Sequence, residues 1–156
     1  MLRVSQKLEY AMRAMIELAL RSDDALVPAR EIAETQQIPL RFLEQQLGAL
    51  HKAGLVESFR GAGGGCRLGR PAGEIRVADI ADTIEGESFP MFCLNPEDHT
   101  CFQDSRCGLQ ELWGDVYVAV RKVFEETTLA TLATRHRRMA PENPVFAPGD
   151  LIRPKR

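Results

Sequence analysis

Three cysteines, Cys93, Cys101 and Cys107, fall within fifteen residues in the segment CLNPEDHTCFQDSRC. Thiolates gathered in this way can hold a metal or an iron–sulfur cluster, or can form a disulfide under oxidant. Seven residues and then five separate successive thiols. Structural zinc sites usually contain a pair roughly two to four residues apart, so this spacing argues mildly against zinc. Clusters held by thiolates tolerate wider loops, and three cysteines leave a fourth ligand to be found. His99 lies between the first two cysteines and reads as a solvated loop residue with the capacity to ligate. Cys66 stands apart and reads as a strand residue. His51 and His136 have no partner that suggests catalysis. With no nucleophile–base–orienter set, no paired-carboxylate signature and no nucleotide fingerprint, the sequence does not read as an enzyme.

A second stretch, GAGGGCRLGRP from Gly61 to Pro71, packs glycines and arginines between two segments of strand-like alternation. A phosphate-cradling loop would need a Lys-Ser or Lys-Thr pair entering a helix, and neither is present. A flexible hairpin turn is the plainer reading. The sharper one is a DNA-binding wing whose glycines let the tip approach a groove while Arg60, Arg67 and Arg70 meet phosphates. From Phe59 to Arg76 there are four arginines and one acid, Glu74. The net charge of −2 is no obstacle, because local charge distribution governs phosphate binding.

The elements that would carry these groups follow from apolar spacing. Leu8, Met12, Met15, Ile16, Ala19 and Leu20 recur at three- and four-residue steps and predict an amphipathic helix over 5–20. Pro28 precedes a short helix over 29–35, and Pro39 opens a third that runs to about Ala53, with Phe42, Leu43, Leu47 and Leu50 along one stripe and Gly54 as its stop. Two short helices around a tight break make a helix-turn-helix. Arg41, Glu44 and Gln45 lie near the start of its second helix, where side chains of a recognition helix reach base edges. LVESF and CRLGR form the hairpin, EIRV adds a short extended segment, and Val77 to Ile84 is a further helix ended by Gly86.

After the cysteine loop, Leu109, Leu112, Trp113, Val116, Val120, Val123 and Phe124 make a wide apolar stripe on a long helix. Such a stripe needs a partner, and homodimerisation supplies one most simply. TTLATLATRHRR continues as another short helix. The expected fold is mainly α with a small β-hairpin wing: a winged helix-turn-helix over 1–85, a cysteine loop over 86–108, a dimerisation helix region over 109–137 and a disordered tail over 138–156. At 156 residues and 44% hydrophobic content the chain can bury a core. It has no membrane-length apolar run and no secretory leader pattern, so the expectation is a cytoplasmic protein without a membrane partner.

KLEYAMRAMIELA, IPLRFLEQQLGALHKAGLVESFRGAGGGCRL, ADIADTIEG, the cysteine loop and CGLQELWGDV, in this order over 1–133, resemble the IscR/NsrR/RirA (Rrf2-type) family of bacterial winged-helix regulators. The resemblance implies a homodimer in which long C-terminal helices cross, a winged helix-turn-helix on a palindromic double-stranded operator, and a two-iron or four-iron cluster that changes DNA affinity. Cys93, Cys101 and Cys107 match the family's cluster cysteines, with a spacing that resembles RirA members more than IscR. Gln110 stands where IscR-like members use a histidine ligand. Glu9 matches an acidic residue that some NsrR-like members recruit across the dimer, which makes Glu9 the implied fourth ligand. Cys66 stands where relatives often carry an aromatic residue. Ligation between the winged unit and the dimer helix would set the separation of the two recognition helices, which must match half-sites about 34–36 Å apart or a multiple of that. Two other readings accompany this one: a cluster-free thiol/disulfide switch on the same DNA-binding fold, and a protein-interaction module that uses the helix-turn-helix without DNA.

Overall fold

A computed structural model describes residues 4–21, 25–86 and 107–139. The first helix, α1 (Gln6–Leu20), begins where Ser5 accepts a hydrogen bond from the Leu8 amide at 3.1 Å. That bond satisfies one of the amides a helix start leaves without a partner. The apolar side of α1, Leu8, Ala11, Ala14, Met15 and Leu18, is buried. It forms the centre of one hydrophobic core with Ile32, Leu43, Leu50, Leu55, Ile75 and Ile80.

Helices α2 (Ala29–Gln36) and α3 (Leu40–Lys52) are joined by Gln37, Ile38 and Pro39. Gln37 adopts the left-handed conformation, φ 52°, which reverses the chain while the Ile38 amide donates back to Ala33 O at 2.9 Å. Ile38 is thereby driven into the core and the two helices form the expected helix-turn-helix. Both prolines flank their helices as the preceding cap residue, one position outside the first turn. The α3 stripe differs from expectation at one position. Leu43, Gln46, Leu47 and Leu50 are its buried residues, whereas Phe42 is 54% exposed. At about 100° per residue, Gln46 completes the face that Leu43 and Leu50 define, and Phe42 falls outside it.

The hairpin pairs β1 (Val56–Phe59) with β2 (Gly65–Leu68) antiparallel, Val56 opposite Leu68 and Phe59 opposite Gly65. Val27 adds a bridge on the other side of β2 through two 2.9 Å bonds with Cys66. A Cβ on Gly65 would stand 2.8 Å from the Val27 backbone, so glycine permits this bridging segment to close on the hairpin. Helix α4 (Val77–Glu85) follows, its Asp79 carboxylate accepting from the Arg76 amide, and Gly86 ends it.

The long helix α5 (Gly108–Glu126) buries no residue fully. Leu109, Leu112 and Val123 of the expected stripe are at least half exposed, and Trp113, Val116 and Val120 are partly covered. Phe124 packs partly against the core. Helix α6 (Leu129–Arg138) then returns to α1. The Leu129 amide donates to Ile75 O at 2.8 Å, and the Leu129 and Ala133 side chains are buried. The expected region 109–137 therefore holds two helices that pack differently: α5 leaves a stripe open, and α6 completes the core of the winged unit. No helix among the described residues is long and apolar enough to cross a membrane. The expected disordered tail begins at Arg138, but Arg138 is still the last residue of α6; from 140 onward the tail lies outside the described residues.

Candidate functional site

Helix α3 presents Arg41, Glu44 and Gln45 outward, as the sequence predicts. Arg41 and Gln45 are four residues apart and so lie one above the other on the same side, with Glu44 beside them. Their donors and acceptors match the hydrogen-bonding edges of guanine, adenine and cytosine in a major groove. Phe42 joins this exposed set, a residue that the sequence reading assigned to the core. The signal for it was present: Leu43, Leu47 and Leu50 sustain the buried face without it.

The wing turn runs from Arg60 to Gly64, with Gly61 and Gly63 at φ 106° and 82°, a region that residues with side chains enter at a cost. Of the wing arginines, Arg60 is exposed at the base of the turn. Arg67 lies across the hairpin. It sits opposite Glu57 in the register, binds that carboxylate at 2.9 Å, and covers the Phe59 ring at 5.2 Å from its centroid. Arg70 stands 3.9 Å from Asp79. Arg60 is thus open beside the turn, and Arg67 links the two strands that hold it.

Glu9 is exposed on α1 and lies 3.9 Å from Arg13. Arg13 in turn donates to the side chain and backbone carbonyls of Gln36, and the Gln36 amide donates to Glu17 at 2.9 Å. Glu17 is buried, and its carboxylate also accepts from Arg21, which reaches on to Glu31. The hydrogen bond and charge of Glu17 raise the Arg21 pKa above its ordinary value. This chain of polar contacts fastens α1 to the end of α2, immediately before the turn into α3.

Cys107 caps the start of α5 and is a free, half-buried thiol. Cys93 and Cys101 lie outside the described residues, as does His99. Among the described residues no group of three His, Cys, Asp or Glu side chains is gathered closely enough to hold a metal. A cysteine sulfur at a helix start and an accessible carboxylate at Glu9 are both donor types suited to iron. Further along α5, Arg121 binds the two Asp82 oxygens at 2.5 and 2.8 Å and Glu125 at 2.8 Å. These contacts tie the helix that begins at Cys107 to α4.

Cys66 has no such environment. Its Sγ lies 3.3 Å from Val27 O in the core, and burial pushes the thiol up from an ordinary 9.0 to about 11. Cys66 should therefore resist iodoacetamide at pH 8 in the native protein while Cys107 reacts, as peptide mapping by mass spectrometry would read. Modification of native Cys66 at the rate of an unfolded control would contradict the assignment. The folded state keeps this proton above pH 9 whereas the unfolded state releases it, so the contribution to stability falls between about pH 9 and 11.

Residues 4–135 match the Rrf2 family profile, described as an iron-dependent transcriptional regulator. The HTH-type transcriptional regulator IscR of Xenorhabdus nematophila is 40% identical over 131 residues, which cover 84% of this chain and 79% of that protein. Among solved structures, CymR, the global cysteine regulator of B. subtilis, superposes with a TM-score of 0.75 at 35% identity, covering 86% of this chain and 98% of the other. T. potens IscR superposes with a TM-score of 0.72 at 31% identity, covering 89% and 91%.

Proposed function

The chain belongs to the Rrf2 family of transcriptional regulators, and from that premise we propose that it binds palindromic operator DNA as a homodimer, with an affinity set by an iron–sulfur cluster. The α3 face of Arg41, Glu44 and Gln45 reads bases in the major groove, and Arg60 reaches the backbone from the wing. The open apolar stripe of α5 meets its counterpart on a second copy. Cys93, Cys101 and Cys107 hold the cluster, with Glu9 of the opposite subunit as the oxygen ligand. A cluster with one labile oxygen ligand supplies an iron open to exchange, suited to sensing iron, nitric oxide or oxidant. The protein acts in the cytoplasm, where its DNA lies.

The observation that carries this reading is Cys107 at the head of α5, a helix latched to the winged unit through Arg121 and Asp82. A change at the thiol is transmitted along a rigid element to the fold that carries α3. Visible absorption and the iron-to-sulfide ratio of protein purified without oxygen test it. Bound iron and sulfide, with operator affinity that changes on their removal, support the cluster. A colourless protein that cannot be reconstituted favours a second reading, a cluster-free thiol switch. The structural likeness to CymR and the free thiol of Cys107 support that alternative.

Arg60→Ala should weaken binding to all duplex sequences alike and lower the slope of log affinity against log salt by about 0.9, the effect of one lost phosphate contact. Fluorescence anisotropy across a salt series reads both, and an unchanged slope removes Arg60 from the DNA interface.

A further inference from the structure

Gly48 lies inside α3, between Leu40 and Lys52, and is exposed. Most glycines of the hairpin have an internal reason to be glycine. A Cβ on Gly64 or Gly69 would stand 2.4 Å from a backbone oxygen, and Gly61 and Gly63 take positive φ. Gly48 has neither reason. Its backbone is helical, and a Cβ built on it meets nothing within 4 Å. An interior helix glycine is less stable than alanine because the unfolded chain loses more freedom on folding. The winged unit therefore gives up stability at Gly48 for no contact of its own.

The position decides what the vacancy is for. Arg41, Gln45, Gly48 and Lys52 follow at steps of four, three and four residues, so they form one line along the exposed side of α3. Arg41 and Gln45 are the groups that reach for base edges, and Lys52 ends the line with a cation in the last turn. We propose that Gly48 is the point of closest approach between α3 and the base edges of bound DNA, so that the helix lies along the major groove from Arg41 to Lys52 rather than entering by its first turn alone. The missing Cβ leaves room for a base-pair edge, and Lys52 meets a phosphate where the helix leaves the groove. This deepens the DNA-binding reading and rests on it.

The probe is a duplex selected by the full-length wild-type protein from random-sequence DNA, alongside a scrambled duplex of the same composition. Gly48→Ala should raise the thermal midpoint by about 2–4 °C, the shift expected of an Ala-for-Gly gain in a chain of this size. It should also weaken binding to the selected duplex tenfold or more and leave the scrambled duplex unaffected. Lys52→Ala should lower the salt slope by about 0.9. Unchanged affinity of Gly48→Ala for the selected duplex overturns the proposal, as does equal loss on both duplexes or an unchanged salt slope in Lys52→Ala. Failure of the wild type to select any sequence is a distinct result, which overturns the DNA-binding reading itself and this proposal with it.

Discussion

Cys107→Ser is expected to leave anaerobically purified protein without bound iron and sulfide and to shift operator affinity tenfold or more, with little change in thermal stability. Serine is nearly isosteric with cysteine, and Cys107 occupies the cap position of α5, where serine is among the best residues because its oxygen accepts from the first helical amides. The helix should be retained, so any loss reports on the thiolate. Only three cysteine ligands are proposed, and a hydroxyl in place of one weakens the set decisively. The tenfold shift corresponds to about 1.4 kcal/mol of coupling, within the range common for linked sites. Elemental analysis, visible absorption and anisotropy on operator DNA read the outcome. If wild-type protein carries iron and sulfide and Cys107→Ser binds DNA with unaltered affinity, cluster and DNA are not coupled. If neither protein carries iron, but only the wild type changes affinity on oxidation, the thiol switch is the mechanism.

The sequence made the helical elements legible because their apolar residues recur at helical steps and their ends carry ordinary punctuation. Gly54 and Gly86 follow the ends of α3 and α4, as read, whereas Ser5, read as the first residue of α1, is its cap. It also made the outward set Arg41, Glu44 and Gln45 legible, since these positions lie off the Leu43–Leu47–Leu50 face. Phe42 reads as core by residue type, although its angle from the Leu43–Leu47–Leu50 face already sets it outside. Two features needed the third dimension. Arg67 reads as a groove contact by charge, and the hairpin register adds what charge alone does not show: Glu57 opposite it and Phe59 beneath it. That register depends on the length of the turn, which the charges do not encode. The return of α6 to α1 is a contact between distant segments, and an amphipathic pattern states that a face is buried without naming what buries it. The cysteine triplet was legible as a ligand or redox set, whereas Cys93 and Cys101 lie outside the described residues.

Leu129→Ala should destabilise the winged unit by about 2–5 kcal/mol, the range for truncating a fully buried leucine where the surroundings only partly collapse. Leu129 is completely buried, its amide is bonded to Ile75 O, and it belongs to the same core cluster as Met15, Leu50 and Ile80. Urea denaturation followed by far-ultraviolet circular dichroism should show an earlier midpoint with an unchanged slope, because the area exposed on unfolding is nearly the same. A loss below about 1 kcal/mol would mean that α6 is not integral to the unit, since surface substitutions usually remain within that range. The expected result bears on regulation as well as stability. With Leu129 fixed in the core and Arg121 held by Asp82, the C-terminal end of α5 is anchored to the winged unit. On the proposed reading a change at the thiol passes along α5 to this anchor, and Leu129→Ala should then weaken the coupling between cysteine state and operator affinity even where the protein remains folded.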